Sequence, residues 1–264
     1  MHWLRAWRGI TTREWLRYVR QRGRLAAAII RPMIWLAVFS VGFRSALGLS
    51  ITPPYETYVL YDVYIVPGLA GMMLLFHGMQ TSLSMVYDRE MGSMRVLLTS
   101  PLPRWFLLCA RLTATTLVVT PMVVAFLLIS RFWEVRPPWA GYAAAAPAIV
   151  LSGLMLGAFG LLISSLVRQL ENFAGVMNFV IFPMFFTSTA LYPLWRLEDA
   201  SAIVARLAAL NPFTYAVELI RFALYLKLDW SALGVVAASL VAFLSLATFG
   251  YQPERAWSIR RADA

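Results

Sequence analysis

The chain has 264 residues, of which 60% are hydrophobic and only 14% charged, with a mean hydropathy of +0.68. Soluble domains carry about 25% charged residues, whereas apolar runs of about 20 residues, long enough to cross a bilayer as helices, recur here along the whole length. The net charge of +10 is therefore no nucleic-acid footprint, and the single cysteine, Cys109, excludes an internal disulfide or a thiolate metal cluster.

Residues 2–24 are basic and rich in tryptophan. Arg13, Arg17, Arg20 and Arg24 stack along one helical face, while Trp3, Trp7, Ile10 and Tyr18 line another, with Trp15 nearby. This predicts an N-terminal helix lying among lipid headgroups. The first 24 residues hold seven arginines and no short apolar core with a cleavage site, so they read as mature protein.

Span one is expected from Leu25 to Leu47, interrupted by Arg31-Pro32 near the end where an arginine can snorkel. Thr52-Pro53-Pro54 breaks the chain. Span two follows over Tyr58 to Val86, with Pro67, Gly68, Gly71 and Gly78 predicting tilt or a kink. Span three is Trp105 to Ile129, span four Gly141 to Val167 and span five Phe173 to Tyr192. Residues 193–230 are mixed, broken at Asn211-Pro212, and suit a pair of short helices dipping into the far membrane boundary. Ser231 to Gly250 is the final span. The expectation is an all-α polytopic membrane protein of six transmembrane helices and a single domain, 1–264.

Fifteen basic residues fall on the side of the N-terminus against seven on the other, with Arg31 inside span one. That excess places both termini in the cytoplasm. Most of the positive charge is topology, and the partners it implies are membrane lipids rather than nucleic acid.

The most polar internal block is residues 87–104, which contains Asp88, Arg89, Glu90, Gly92, Met94, Arg95, Leu97, Leu98 and Pro101. Glu90, Met94, Leu97 and Leu98 recur at helical spacing, and Pro101 stops the run. The block reads either as a short amphipathic helix offering Met94, Leu97 and Leu98 to a groove, or as a charged connector.

The stretch DREMGSMRVLLTSPLPR resembles the cytoplasmic segment of ABC-2 type transport permeases: a glutamate, a glycine shortly after, paired leucines and a small-residue-proline turn. Glu90, Gly92, Leu97, Leu98 and Pro101 occupy those places. FFTSTALYPL, from Phe185, and LNPFTYAVELIR, from Leu210, continue the resemblance in the same order. It implies two permease protomers, as a homodimer or a mixed dimer, above two cytoplasmic ATPase subunits. It further implies a coupling helix at about Asp88 to Leu98, flanked by the N-terminal helix. Spans one, two and five would line the route or the protomer interface, and residues 193–230 would supply outer re-entrant helices. ATP and Mg²⁺ would be held by the ATPase, with no cofactor in this chain.

A phosphate-binding loop needs a lysine after a glycine-rich turn. The one lysine, Lys227, follows Leu-Tyr-Leu, and LSGLM at Leu151 to Met155 opens an apolar helix. The chain is thus expected to hydrolyse no ATP itself.

Phe185, Phe186, Thr187, Ser188 and Thr189 form a candidate substrate route, although the favoured reading of the hydroxyls is bonding back to their own helix or joining spans together. Asn211, Pro212, Glu218 and Arg221 form a candidate outer gate, although Glu218 and Arg221, three apart, also suit a simple pair. Gly153, Gly157 and Gly160 favour close helix packing. His77, midway through span two, calls for a polar partner in the bundle. The methionines and aromatic residues can shape a lipidic pathway but are equally ordinary packing and interfacial anchors. With no long soluble domain or wide charged cavity apparent, a hydrophobic or amphipathic substrate is expected rather than a large folded one. An ion-driven transporter is the main alternative, but its only early acid, Asp62, is peripheral; a nontransporting assembly protein with a permease-like fold is the third reading.

Overall fold

The structure, a computed structural model, describes residues 2–43, 53–55, 59–91, 102–133, 135–167 and 169–250. Its regular elements are helices: α1 (His2–Arg20), α2 (Arg22–Phe43), α3 (Tyr61–Glu90), α4 (Arg104–Ile129, running into a 3₁₀ turn at Ser130–Trp133), α5 (Trp139–Leu166), α6 (Leu170–Phe186), α7 (Leu194–Ala200), α8 (Ala202–Leu210), α9 (Pro212–Leu224) and α10 (Trp230–Gly250). Their boundaries follow local chemistry. Pro103, Pro138 and Pro193 stand immediately before α4, α5 and α7, and Pro212 opens α9. Proline suits such places because its missing N–H would have no helical partner there. Asp229 caps α10, accepting from the N–H groups of Ser231 and Ala232 at 2.9 and 3.1 Å.

The bundle is organised around α5. It packs on α3, α4, α9 and α10, while α2 and α6 each lie against α3. Four neighbours can approach because the buried surface of α5 includes Gly141, Ala145, Ala148, Ser152, Gly153, Gly157, Ala158, Gly160 and Ser164. Where α5 crosses α3, a Cβ on Gly78 would stand 3.0 Å from the Gly157 Cα, and one on Gly160 only 2.8 Å from the Gly78 carbonyl oxygen. The two backbones are in direct contact. The small-residue packing expected of Gly153, Gly157 and Gly160 is what the fold uses.

Among the described residues, four helices are long and apolar enough to span a membrane: α3, α4, α5 and α10. A fifth is reached if α8 and α9, bent by 75° at Asn211, count as one. The chain is therefore an all-α polytopic membrane protein, with four full-length spans, or five with the bent pair, among the described residues against the six expected. The helices standing for spans one and five carry 17-residue apolar stretches, Ala26–Gly42 and Leu170–Phe186, or about 25 Å each. The end of expected span one beyond Phe43 lies outside the described residues. Expected span five ran to Tyr192, but α6 stops at Phe186 because Thr187 leaves the helix at φ −95°, ψ 52°. Residues 193–230 form three short helices rather than a pair, with an additional break at Ser201.

A valine at Gly78 is expected to cost about 1–3 kcal/mol, the usual cost of overpacking. Thermal unfolding in a mild detergent measures it. Gly175→Ala, where a Cβ meets nothing within 4 Å, should leave Tm unchanged or slightly raised.

Candidate functional site

Two polar regions lie at opposite ends of α3, and the prolines explain much of the first. Pro67 removes an N–H from α3, which leaves the Val63 carbonyl without its helical donor. The Tyr55 hydroxyl donates to that carbonyl at 3.3 Å, and its ring meets Tyr225 edge-on at 4.8 Å. Burial holds the Tyr55 phenol well above its ordinary pKa and pushes Tyr225 up to about 12, so both remain neutral donors.

Next to Val63 on α3, the Tyr64 hydroxyl donates to the Thr189 carbonyl at 2.9 Å. That carbonyl lies in the turn beyond α6, where no helical N–H serves it, and it also accepts from Arg221 Nη2 at 2.9 Å. Arg221 is 1% exposed. Its guanidinium pairs with Glu218 on the same helix and lies 4.0 Å from the Tyr64 ring centroid. The simple pair expected of Glu218 and Arg221 is present, but it also ties α9 to α3 and to the Thr189 turn. Sequence spacing detects an i, i+3 pair and cannot see the other two partners.

Asn211 holds the neighbouring joint. Its side-chain amide donates to the Met184 and Thr187 carbonyls at 2.8 and 2.9 Å, and its oxygen accepts from Phe213 N at 3.0 Å. The same residue thus closes the C-terminus of α6 and caps α9. Across the bend, the Thr214 and Tyr215 hydroxyls donate to the last carbonyls of α8, Ala208 and Ala209, each at 2.8 Å. The 75° break leaves these carbonyls satisfied, as an apolar environment requires. Pro212 is the first residue of α9.

The candidate route residues divide. Thr187 Oγ1 bonds back to the Pro183 carbonyl and Ser188 Oγ to that of Phe185, at 2.7 and 2.6 Å, which is the bonding pattern favoured for them. Phe185, Ser188 and Thr189 are buried, while Phe186 is exposed with Phe179 and Phe182 on the same helix. The exposed surface there is aromatic rather than hydroxylic.

At the other end, Asp88, Arg89 and Glu90 complete the last turn of α3 instead of opening a separate helix, and Glu90 and Met91 are exposed. Gly92, Met94, Arg95, Leu97, Leu98 and Pro101 lie outside the described residues. Two links fasten α3 to α4 nearby: Arg111 Nη2 donates to Ser84 Oγ at 2.5 Å, and His77 Nε2 donates to the Thr115 carbonyl at 3.2 Å. His77 has the polar partner expected of it. The N-terminal helix joins this pair, with Trp3 against Trp105 and Phe106 and with Trp7 Nε1 donating to Thr113 Oγ1 at 2.9 Å. Arg111 was not singled out from sequence and Trp7 was read only as part of an interfacial face, because neither spacing nor hydropathy announces partners 27 and 106 residues away. Asp62, read as peripheral, is 2% exposed in the first turn of α3, where the helix dipole favours an acid. No group of three or more His, Cys, Asp or Glu side chains suited to a metal gathers among the described residues.

Arg221→Met should destabilise the protein by about 3–5 kcal/mol, because it strands the partly buried Glu218 carboxylate. Adding Glu218→Gln to that variant should recover part of the loss. Asn211→Ala should cost about 1–2 kcal/mol through the lost cap. Denaturant titration of the purified variants in detergent checks all three.

Comparison with known proteins agrees with this architecture. A family model described as ABC-2 type transporter matches residues 5–225. A protein of Porphyra purpurea named putative transport permease ycf38 is 26% identical over 84% of this chain and 74% of its own length. Its namesake in Pyropia yezoensis is 27% identical over 85% of this chain and 75% of its own. The probable multidrug ABC transporter permease YbhR of Escherichia coli K12 is 32% identical over 66% of this chain and 46% of that protein. With most of its length matched and a multi-helix membrane bundle to carry the match, the chain belongs to the ABC-2 type transporter family, as a permease subunit that moves substrate across a membrane.

Proposed function

We propose that the chain is the membrane half of an ATP-driven exporter in the cytoplasmic membrane, a homodimer docked on two cytoplasmic ABC ATPase subunits. The observation that carries this reading is the reach of α3. Its 30 residues extend about 45 Å, well beyond a hydrocarbon core of about 30 Å. One continuous helix therefore joins the polar block at 87–104 to the Tyr64–Arg221–Thr189 knot.

In this reading α2, α3, α4, α5, α6 and α10 are the six spans, both termini are cytoplasmic, and α1 lies at the inner boundary. Residues 193–230 form the outer re-entrant segment. The ATPases engage Asp88, Arg89, Glu90, Gly92, Met94, Arg95, Leu97, Leu98 and Pro101, and they supply ATP and Mg²⁺. Their closure displaces the end of α3, and a close-packed bundle transmits the displacement because it cannot absorb it by compression. Asn211, Pro212, Glu218 and Arg221 act as the outer gate, since opening α9 away from α3 requires parting that network.

A hydrophobic or amphipathic cargo suits a route past Phe185, Phe186, Thr187, Ser188 and Thr189. Two of the three hydroxyls there are spent on backbone carbonyls, and the exposed side chains at this end of α6, from residue 179 on, are Phe179, Phe182, Pro183 and Phe186. The name of the Escherichia coli relative, a probable multidrug permease, agrees with such a cargo.

The test starts with crosslinking in the native membrane and mass spectrometry of whatever co-purifies, followed by transport in proteoliposomes. Glu90→Arg and Leu97→Asp should insert normally yet abolish export while ATP turnover continues. Wild-type transport by both variants would refute the coupling surface. Active transport by the chain without any ATPase would overturn the exporter reading itself.

A further inference from the structure

A cavity of about 70 Å³ opens between α1, α2, α3 and α4. Its walls include Tyr18, Arg31, Phe76, His77, Gln80 and Val119. The space arises from local sequence. Side chains on a helix lean toward its N-terminus, and the residues one turn before Arg31 are Ala27 and Ala28, too small to fill the volume over which the arginine leans. On α3, Phe76 and Gln80 are four residues apart and His77 and Gln80 three, so all three can present to one surface.

Among the described residues, no acid compensates the charge in this cavity. Arg31 lies nine residues beyond the start of α2, about 13 Å along the helix. No aspartate or glutamate lines the cavity, and among the described residues Arg31 makes no ion pair or hydrogen bond. Its guanidinium rests 4.9 Å from the Phe76 ring centroid. Arg31 is five residues into the apolar stretch Ala26–Gly42, where an arginine either snorkels to the boundary or pairs with an acid or with backbone carbonyls. Here Arg31 and Gln80, both exposed, line the same cavity. Apart from Tyr18 and His77, the rest of the wall is apolar, chiefly Met72, Met73, Phe76 and Val119. Ile30 and Ile34, both more than half exposed, continue that apolar surface along α2.

We propose that this cavity binds the headgroup of an anionic amphiphile, with Arg31 pairing its phosphate or carboxylate, Gln80 donating a second hydrogen bond, and the tail lying over Ile30 and Ile34. Arginine suits the role because its planar donors match a phosphate in two-point fashion. The inference rests on the membrane placement of the chain and not on the ATPase-coupling reading, so the two can fail separately. The ligand is either a resident anionic phospholipid or a mobile single-chain amphiphile; both present the same chemistry to Arg31. Phe76 also meets Phe182 of α6, with ring centroids 6.3 Å apart, so the cavity backs onto the proposed route.

Native mass spectrometry of the full chain in a neutral maltoside detergent tests the site, with dioleoylphosphatidylglycerol, dioleoylphosphatidylcholine and dodecyl phosphate as probes. The wild type should hold one phosphatidylglycerol about tenfold or more tighter than phosphatidylcholine. Arg31→Gln should remove that preference, Gln80→Leu should weaken it severalfold, and Arg136→Gln, at an exposed arginine elsewhere, should leave it intact. If Arg31→Gln fails to fold, Gln80→Leu decides. Phosphatidylglycerol that co-purifies and resists dodecyl phosphate identifies a resident lipid. A site that arrives empty and fills with dodecyl phosphate identifies a mobile amphiphile. Equal binding of the two phospholipids, or an undiminished preference in Gln80→Leu and in a folded Arg31→Gln, would overturn the proposal.

Discussion

The contact between the α3 and α5 backbones is the constraint on which the rest of the bundle depends. Lipid tails are as apolar as leucine, so burial against another helix gains little by the hydrophobic effect; dispersion and shape must supply the attraction. Gly78, Gly157 and Gly160 bring two main chains into van der Waals contact, where many atom pairs lie near optimal separation. The closeness sets the places of the other elements. It allows α5 to touch α3, α4, α9 and α10 together, and it leaves α2 and α6 to flank α3.

A second constraint is that every freed backbone group in such a setting needs a partner. The chain interrupts its helices repeatedly, at Pro67 in α3, at Thr187 after α6 and at Asn211 between α8 and α9. The Val63 carbonyl is then taken by Tyr55, the Met184 and Thr187 carbonyls by Asn211, and the Thr189 carbonyl by Tyr64 and Arg221. The polar side chains at this end are there because the backbone is broken there. The same network joins α3, α6 and α9, so a structural necessity also creates a joint whose parting would move three elements at once.

The opposite end is built differently. α3 projects an exposed Glu90, and α1 is fastened along α4 through Trp3 and Trp7. Arg111 and His77 pin α4 to α3 in between. A force applied at the tip of α3 therefore acts on a helix already tied to its neighbours. That arrangement fits a permease subunit whose energy comes from another chain.

Hydropathy and punctuation alone determined that this is a helical membrane protein, and they located α4, α5 and α10 to within a residue or two, because length, apolar content and proline are local properties. The glycines of α5 were legible as packing residues for the same reason. The block at 87–104 was legible as a polar interruption and a resemblance to ABC-2 permeases, while most of its residues lie outside the described structure. Only the tertiary structure decided which polar groups meet. Arg221, legible as half of an i, i+3 pair, is also buried against Tyr64 and Thr189, and the hydroxyls of Thr187 and Ser188 are bonded to their own backbone rather than offered to a route. It also decided that α6 ends at Phe186, because the Met184 and Thr187 carbonyls are received by an asparagine more than twenty residues away. Hydropathy reports how much a segment avoids water, and it is silent on which carbonyl a distant donor will reach.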